Sequence, residues 1–158
     1  MFKIGDRVVY PMHGAGIIEA IEERDFLGEM KEYYVMKLPF GGMKVMVPMN
    51  NVANIGLRQV VGMAEIDKVF NILKDRQKIV VTTWNRRVKA NMDKIKSGDI
   101  YEVAEVVRNL ALQDKEKKLS TGERRLLENA RQILISEMVL VQNMEEQKVA
   151  ILINELLE

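Results

Sequence analysis

The chain has 158 residues, 47% of them hydrophobic and 30% charged, with a net charge of +1 and no cysteine. That length holds one ordinary domain or two small ones, and the near-neutral balance confines any nucleic-acid footprint to a local patch. Without thiols, disulfides, thiolate zinc sites, iron–sulfur clusters and cysteine nucleophiles are excluded.

The N-terminal "MFKIGDRVVYP" lacks the long apolar core of a signal peptide. No uninterrupted apolar run reaches the roughly 20 residues of a membrane-spanning helix. The expectation is a soluble, cytoplasmic protein.

Residues 1–55 read as β. All three prolines lie here, with glycines at 5, 14, 16, 28, 41 and 42. Between them run "DRVVYP", "AGIIEAIEER", "KEYYVMKLP" and "MKVMVPM", separated by the turn signals "HGAG", "FLGEM" and "FGG". Four or five short strands with such turns predict a small, strongly bent sheet or barrel with an open edge. The segment "NNVANIGLRQVVG", about residues 51–62, is the expected hinge.

Residues 56–158 read as helix. "GMAEIDKVFNILKD" places Ile66, Val69, Phe70 and Leu73 on one stripe. "WNRRVKANMDKIKSG" has Val88, Met92 and Ile95 on one side and cations around the rest. "DIYEVAEVVRNLALQDKEKK" repeats Ile100, Val103, Ala104, Val107, Leu110 and Ala111 behind a candidate cap, Asp99. "STGERRLLENARQILISEMVLVQ" opens with the capping-box spacing Ser120…Glu123, and Asn143…Glu146 offers the same device to the last helix. The fold class is α+β in two domains: the β module, then a compact all-α bundle of about five helices.

Catalytic signals are weak. His13, the one histidine, sits in a turn, and Asp6 is the nearest acid without being marked as its partner. A turn histidine fits better than the centre of a small hydrolase. "HGAG" is too short for a dinucleotide fingerprint, and "TGERR" lacks the lysine–hydroxyl pair of a phosphate loop. The acids show no metal-ligand clustering. No enzyme activity, cofactor, metal or small-molecule substrate is expected. Met43, Met46 and Met49 alternate along the last strand and offer either gap-filling or an adaptable contact face.

Charge is uneven in the second half. Lys74, Arg76, Lys78, Arg86, Arg87, Lys89, Lys94 and Lys96 face only Asp75 and Asp93, a local +6. Glu137, Glu145, Glu146, Glu155 and Glu158 face only Lys148, a local −4. The one tryptophan, Trp84, precedes Arg86, Arg87 and Lys89 at a helix start, where the helix dipole favours acids by about 0.3–1 kcal/mol per charge. A bound phosphate reverses that sign. Trp84 either caps the bundle core beside a solvated basic face, or is an exposed wedge held on nucleic acid by its neighbours. Composition leaves both open.

"FKIGDRVVYPMHGAGIIEAIE", "TTWNRRVKANMDKIKSGDIYEVAEVVRNL" and "LSTGERRLLENARQILISEM", in this order and spacing, resemble the CarD/CdnL family of bacterial RNA polymerase-binding transcription regulators. Transcription-repair coupling factors carry a module similar to the first stretch alone. The resemblance implies a Tudor-like β module that docks on the polymerase β subunit, through Arg24 and the position of Met46. The family often has an arginine where Met46 stands. It also implies a helical domain on promoter DNA at the upstream edge of the bubble, with little sequence preference. Trp84 is the implied wedge, and Arg86, Arg87, Lys89 and Arg124 the implied DNA contacts. The expected function is a non-enzymatic, nucleoid-associated regulator that stabilises the open complex. The alternative is a polymerase adaptor without direct DNA contact.

Overall fold

The computed structural model of the chain describes residues 1–39, 41–76 and 83–158. Phe40 of the "FGG" turn, and Lys78 and Thr82 of the basic stretch, lie outside the described residues. Five strands come first among the described residues: β1 (Arg7–Tyr10), β2 (Gly14–Phe26), β3 (Glu29–Lys37), β4 (Lys44–Pro48) and, after the short helix α1 (Val52–Ile55), β5 (Arg58–Gln59). They form one antiparallel sheet in the order β4-β3-β2-β1-β5, so β4 and β5 are its edges. The sheet continues past residue 55, and the expected hinge holds α1 and β5.

Alternation along the strands produces two apolar faces. Val8, Ile18, Tyr34, Met36 and Val47 turn to one side and meet Leu38 and Leu57, with Phe2, Val52 and Ile55 packed over them. Val9 and Ala15 turn to the other side and meet Leu140 of the helical half. β2 and β3 form a long hairpin whose two-residue turn, Leu27-Gly28, takes positive φ at both positions, the form that matches strand twist. Its register slips between Ile18 and Ala20, leaving Glu19 as the extra residue of a bulge.

Five longer helices follow: α2 (Met63–Lys74), α3 (Trp84–Lys96), α4 (Ile100–Glu116), α5 (Thr121–Gln142) and α6 (Glu146–Leu157). Their stripes meet in one core that includes Ile66, Val69, Leu73, Ile95, Val107, Leu110, Leu134 and Ile153. Asp99 caps α4 as expected, accepting the Tyr101 N–H at 2.8 Å. Asn143 does not cap α6. It ends α5 in the left-handed conformation, φ 53°, and α6 begins after Glu145 without a side-chain cap. A left-handed asparagine at a helix end satisfies the last carbonyls, and that role took precedence over the box spacing.

The axis of the molecule is α5. Residues 133–138 are all buried, because the bundle packs on one side of that helix and the sheet on the other.

Candidate functional site

The basic stretch becomes the first turns of α3. Thr83 caps it, its hydroxyl accepting the Arg86 N–H at 3.3 Å, and no acid occupies the first turn. Trp84 is the first helical residue and is 48% exposed. Its ring lies beside the start of α5: a Cβ on Gly122 would stand 3.7 Å from Cζ2. The indole Nε1–H donates to Ser120 Oγ at 3.1 Å. Thus one edge of the indole is anchored while half of its surface faces solvent.

Ser120 is fully committed. As the α5 cap it also accepts the Glu123 N–H at 3.2 Å, and its oxygen lies 3.4 Å from Glu123 Oε1. The hydroxyl's one donor and two acceptor sites are thereby all used. The Glu123 side chain is 2% exposed and faces Arg87 Nε at 3.3 Å and Gln113 Nε2 at 3.1 Å. A buried carboxylate needs such partners, because desolvation otherwise disfavours its charge. The capping-box spacing therefore locates Ser120 correctly, but the glutamate serves as an inward anchor for Arg87.

The expected cations differ in their company. Arg86 and Lys89 are exposed on α3. Arg87 is half-buried against Glu123. Arg124 lies on α5, beside the Trp84 anchor, and pairs with Asp114 at 3.3 Å while remaining partly exposed. Arg125, Lys117 and Lys118, not singled out from the sequence, are also exposed around this loop. Ser120 and Glu123 are the residues that sequence reasoning missed as partners of Trp84 and Arg87. Their spacing marked a helix start, and nothing local marks a contact across 36 positions.

On the sheet, Arg24 and Met46 share one face. Arg24 stands opposite Lys31, and Met46 opposite Val35, four positions further along β3. Arg24 pairs with Glu22 at 2.7 Å in an exposed contact. Met46 is 39% exposed on the edge strand, and Met43 just before it is exposed as well, whereas Met49 packs on the sheet core. Glu19 lies 2.7 Å from Lys44 of the same edge strand, and this hydrogen bond holds the lysine's pKa above its usual value.

His13 stacks edge-on against Tyr10 at 4.4 Å, and its backbone N–H closes a turn onto Tyr10 O at 2.9 Å. Asp6 accepts the Lys3 N–H at 2.9 Å. Among the described residues no group of three or more potential ligands is placed to hold a metal, and no helix is long and apolar enough to cross a membrane.

Comparisons with known proteins follow the same division of the chain. Residues 2–61 match the CarD-like/TRCF RID domain, and residues 68–154 match the CarD C-terminal domain. The chain is 42% identical over 149 residues to the putative transcription factor YdeB of Bacillus subtilis (strain 168), covering 94% of this chain and 97% of that protein. The solution NMR structure of the 72-residue N-terminal domain of Myxococcus xanthus CarD is 36% identical, with 37% of this chain and 79% of that one covered and a TM-score of 0.33. With both domain matches in order and a relative matched along nearly its whole length, this chain belongs to the CarD family of transcription regulators.

Proposed function

We propose that the chain bridges RNA polymerase and promoter DNA and stabilises the open complex without chemistry of its own. The β module docks on the polymerase β subunit. Its exposed edge strand, with Met43 and Met46 outward, offers backbone groups for strand addition and an adaptable apolar contact. Arg24 on the same face supplies a charge that an exposed pair with Glu22 holds only weakly. Docking raises the local concentration of the helical half at the DNA, so weak and sequence-independent binding suffices there.

The observation that carries the reading is the half-exposed indole of Trp84, anchored on Ser120 and flanked by exposed Arg86 and Lys89. Apolar wedges flanked by cations on phosphates are suited to base steps that are already unstacked. The α3 start adds a favourable dipole for a phosphate. Arg86 and Lys89 are the primary phosphate contacts in this reading. Arg124 is a further one. Arg87 is shared between Glu123 and the DNA. A ring that fits the opened fork better than closed duplex shifts the equilibrium toward the open state. No nucleotide hydrolysis enters, and the site of action is the cytoplasmic nucleoid.

The test is Trp84→Ala in a promoter assay with purified polymerase. Open-complex lifetime should shorten about tenfold, equivalent to ~1.4 kcal/mol, with polymerase capture unchanged. Equal lifetimes remove the wedge. One observation favours a second reading: the Ser120 bond gives Trp84 a structural task, so the chain could act as an adaptor that leaves DNA untouched. Trp84→Ala would then lower stability without altering lifetime.

A further inference from the structure

The two halves meet along a seam of apolar and polar contacts. Val9, Ala15 and Leu140 are buried there with Ile17 and Val60 partly buried beside them, and Met12 and Val61 pack on the helical core. Domains of one chain move relative to one another by default unless their interface is large and hydrophobic. Here polar contacts fill the seam. Glu137 of α5 is 2% exposed. Its two oxygens take both ends of the Arg58 fork at 2.8 Å each, and Oε2 also accepts the Val61 N–H at 2.9 Å. Arg58 lies in β5, and its Nε–H donates to Gly98 O at 2.8 Å, in the turn between α3 and α4. One guanidinium therefore ties the sheet to α5 and to the far end of the helix that carries Trp84.

Two close approaches flank this grip. A Cβ on Gly98, φ 74°, would stand 2.8 Å from Pro11 Cγ in the β1–β2 turn. A Cβ on Gly14, φ 108°, would stand 2.8 Å from Ser136 Oγ, which accepts the Ala15 N–H at 2.8 Å. Arg7 also reaches the Leu140 carbonyl. Two-pronged arginine–carboxylate pairs fix direction as well as distance, and this guanidinium is held further by the Gly98 and Gln59 carbonyls at 2.8 and 3.0 Å.

We infer that Arg58 and Glu137 are positioning residues: they latch the β module to the helical half and set the direction in which Trp84 is presented to DNA once the sheet is docked. The inference rests on the bridging function proposed above. A tether alone would only raise local concentration, whereas a fixed angle delivers the ring to one point on the duplex.

The cysteine-free chain accepts two spin labels without background. Glu32→Cys on β3 and Glu128→Cys on α5 place them at exposed positions in the two halves. Pulsed EPR on the full chain should give one narrow distance distribution. Arg58→Ala and Glu137→Gln should at least double its width with helix content unchanged by circular dichroism, and Arg58→Lys, which keeps charge but loses the fork, should fall between. Without labels, the same variants should lose at least threefold of the open-complex lifetime gain while capturing polymerase within twofold of the parent.

Unchanged widths overturn the latch, and so do broadened widths with the full lifetime gain. Should Arg58→Ala fail to fold, Arg58→Lys decides by the same two readouts. Trp84→Ala should keep the narrow distribution. If it also keeps the parent's lifetime, the wedge reading fails, and the latch then stands or falls on the distances.

Discussion

Two buried glutamates on α5 invite comparison. Glu123 and Glu137 are each 2% exposed and each face an arginine from another element. Glu137 is held tightly, with two contacts at 2.8 Å and a backbone N–H at 2.9 Å. Glu123 is held loosely, with Arg87 at 3.3 and 3.4 Å and Gln113 at 3.1 Å. The tight pair lies between the two halves and the loose pair beneath Trp84. A short fork resists competition from a passing anion, while a long one leaves an arginine able to divide itself between carboxylate and phosphate. In the proposed reading the same chemistry serves rigidity at one end of α5 and exchange with phosphate at the other.

The comparison breaks most visibly at the tight pair. Arg58→Ala leaves Glu137 buried with one backbone donor, so unfolding free energy should fall by about 3–5 kcal/mol in chemical denaturation. Arg87→Ala leaves Glu123 with Gln113 and Ser120 and should cost less, about 1–3 kcal/mol. In DNA titrations at several salt concentrations, Arg86→Ala should lower the log–log slope by about 1. Arg87→Ala should lower it by less, and an equal or larger drop would show that Glu123 does not hold that arginine back.

Ser120→Ala removes a cap and the indole's partner together. About 1 kcal/mol of stability should go, and tryptophan emission should shift to the red as the ring loosens. The smallest effect belongs to an exposed pair. Lys44 has its pKa raised by the hydrogen bond to Glu19. A raised lysine contributes stability below its unfolded pKa and loses it as pH rises through the folded one. Glu19→Gln should return the Lys44 titration, followed by NMR, to the ordinary lysine range, with little change in thermal unfolding at neutral pH.

Strands and helices were legible because the alternation of Val8, Val9 and their neighbours and the stripes of α2 and α4 are local patterns that tertiary packing reinforced. Thr83 and Asp99 show why helix starts were readable: a cap needs only its own next turn. Asn143 and Glu146 carried an equally good spacing, yet Asn143 ended the previous helix, because left-handed termination used the same residue. The charge of the acidic end does not all reach the surface. Glu137 belongs to the seam with Arg58, so it adds nothing to an exposed patch.

Of the candidate site, sequence supplied the cations and the tryptophan on α3. It could not rank them. Arg86, Arg87 and Lys89 look alike in a string of letters, and only the approach of α5 separates the two exposed side chains from the one held inward. The Arg58–Glu137 grip spans 79 positions and leaves no local periodicity to read.

Because a single helix carries both Glu123 and Glu137, its phase is constrained. The two lie 14 positions apart, about 21 Å along the axis and within roughly 40° of the same side. One residue inserted between them would turn one end against the other by about 100°. Seven would restore the phase to within about 20° while lengthening the rod by about 10.5 Å. Length changes in this stretch should therefore be tolerated in whole heptads, if at all.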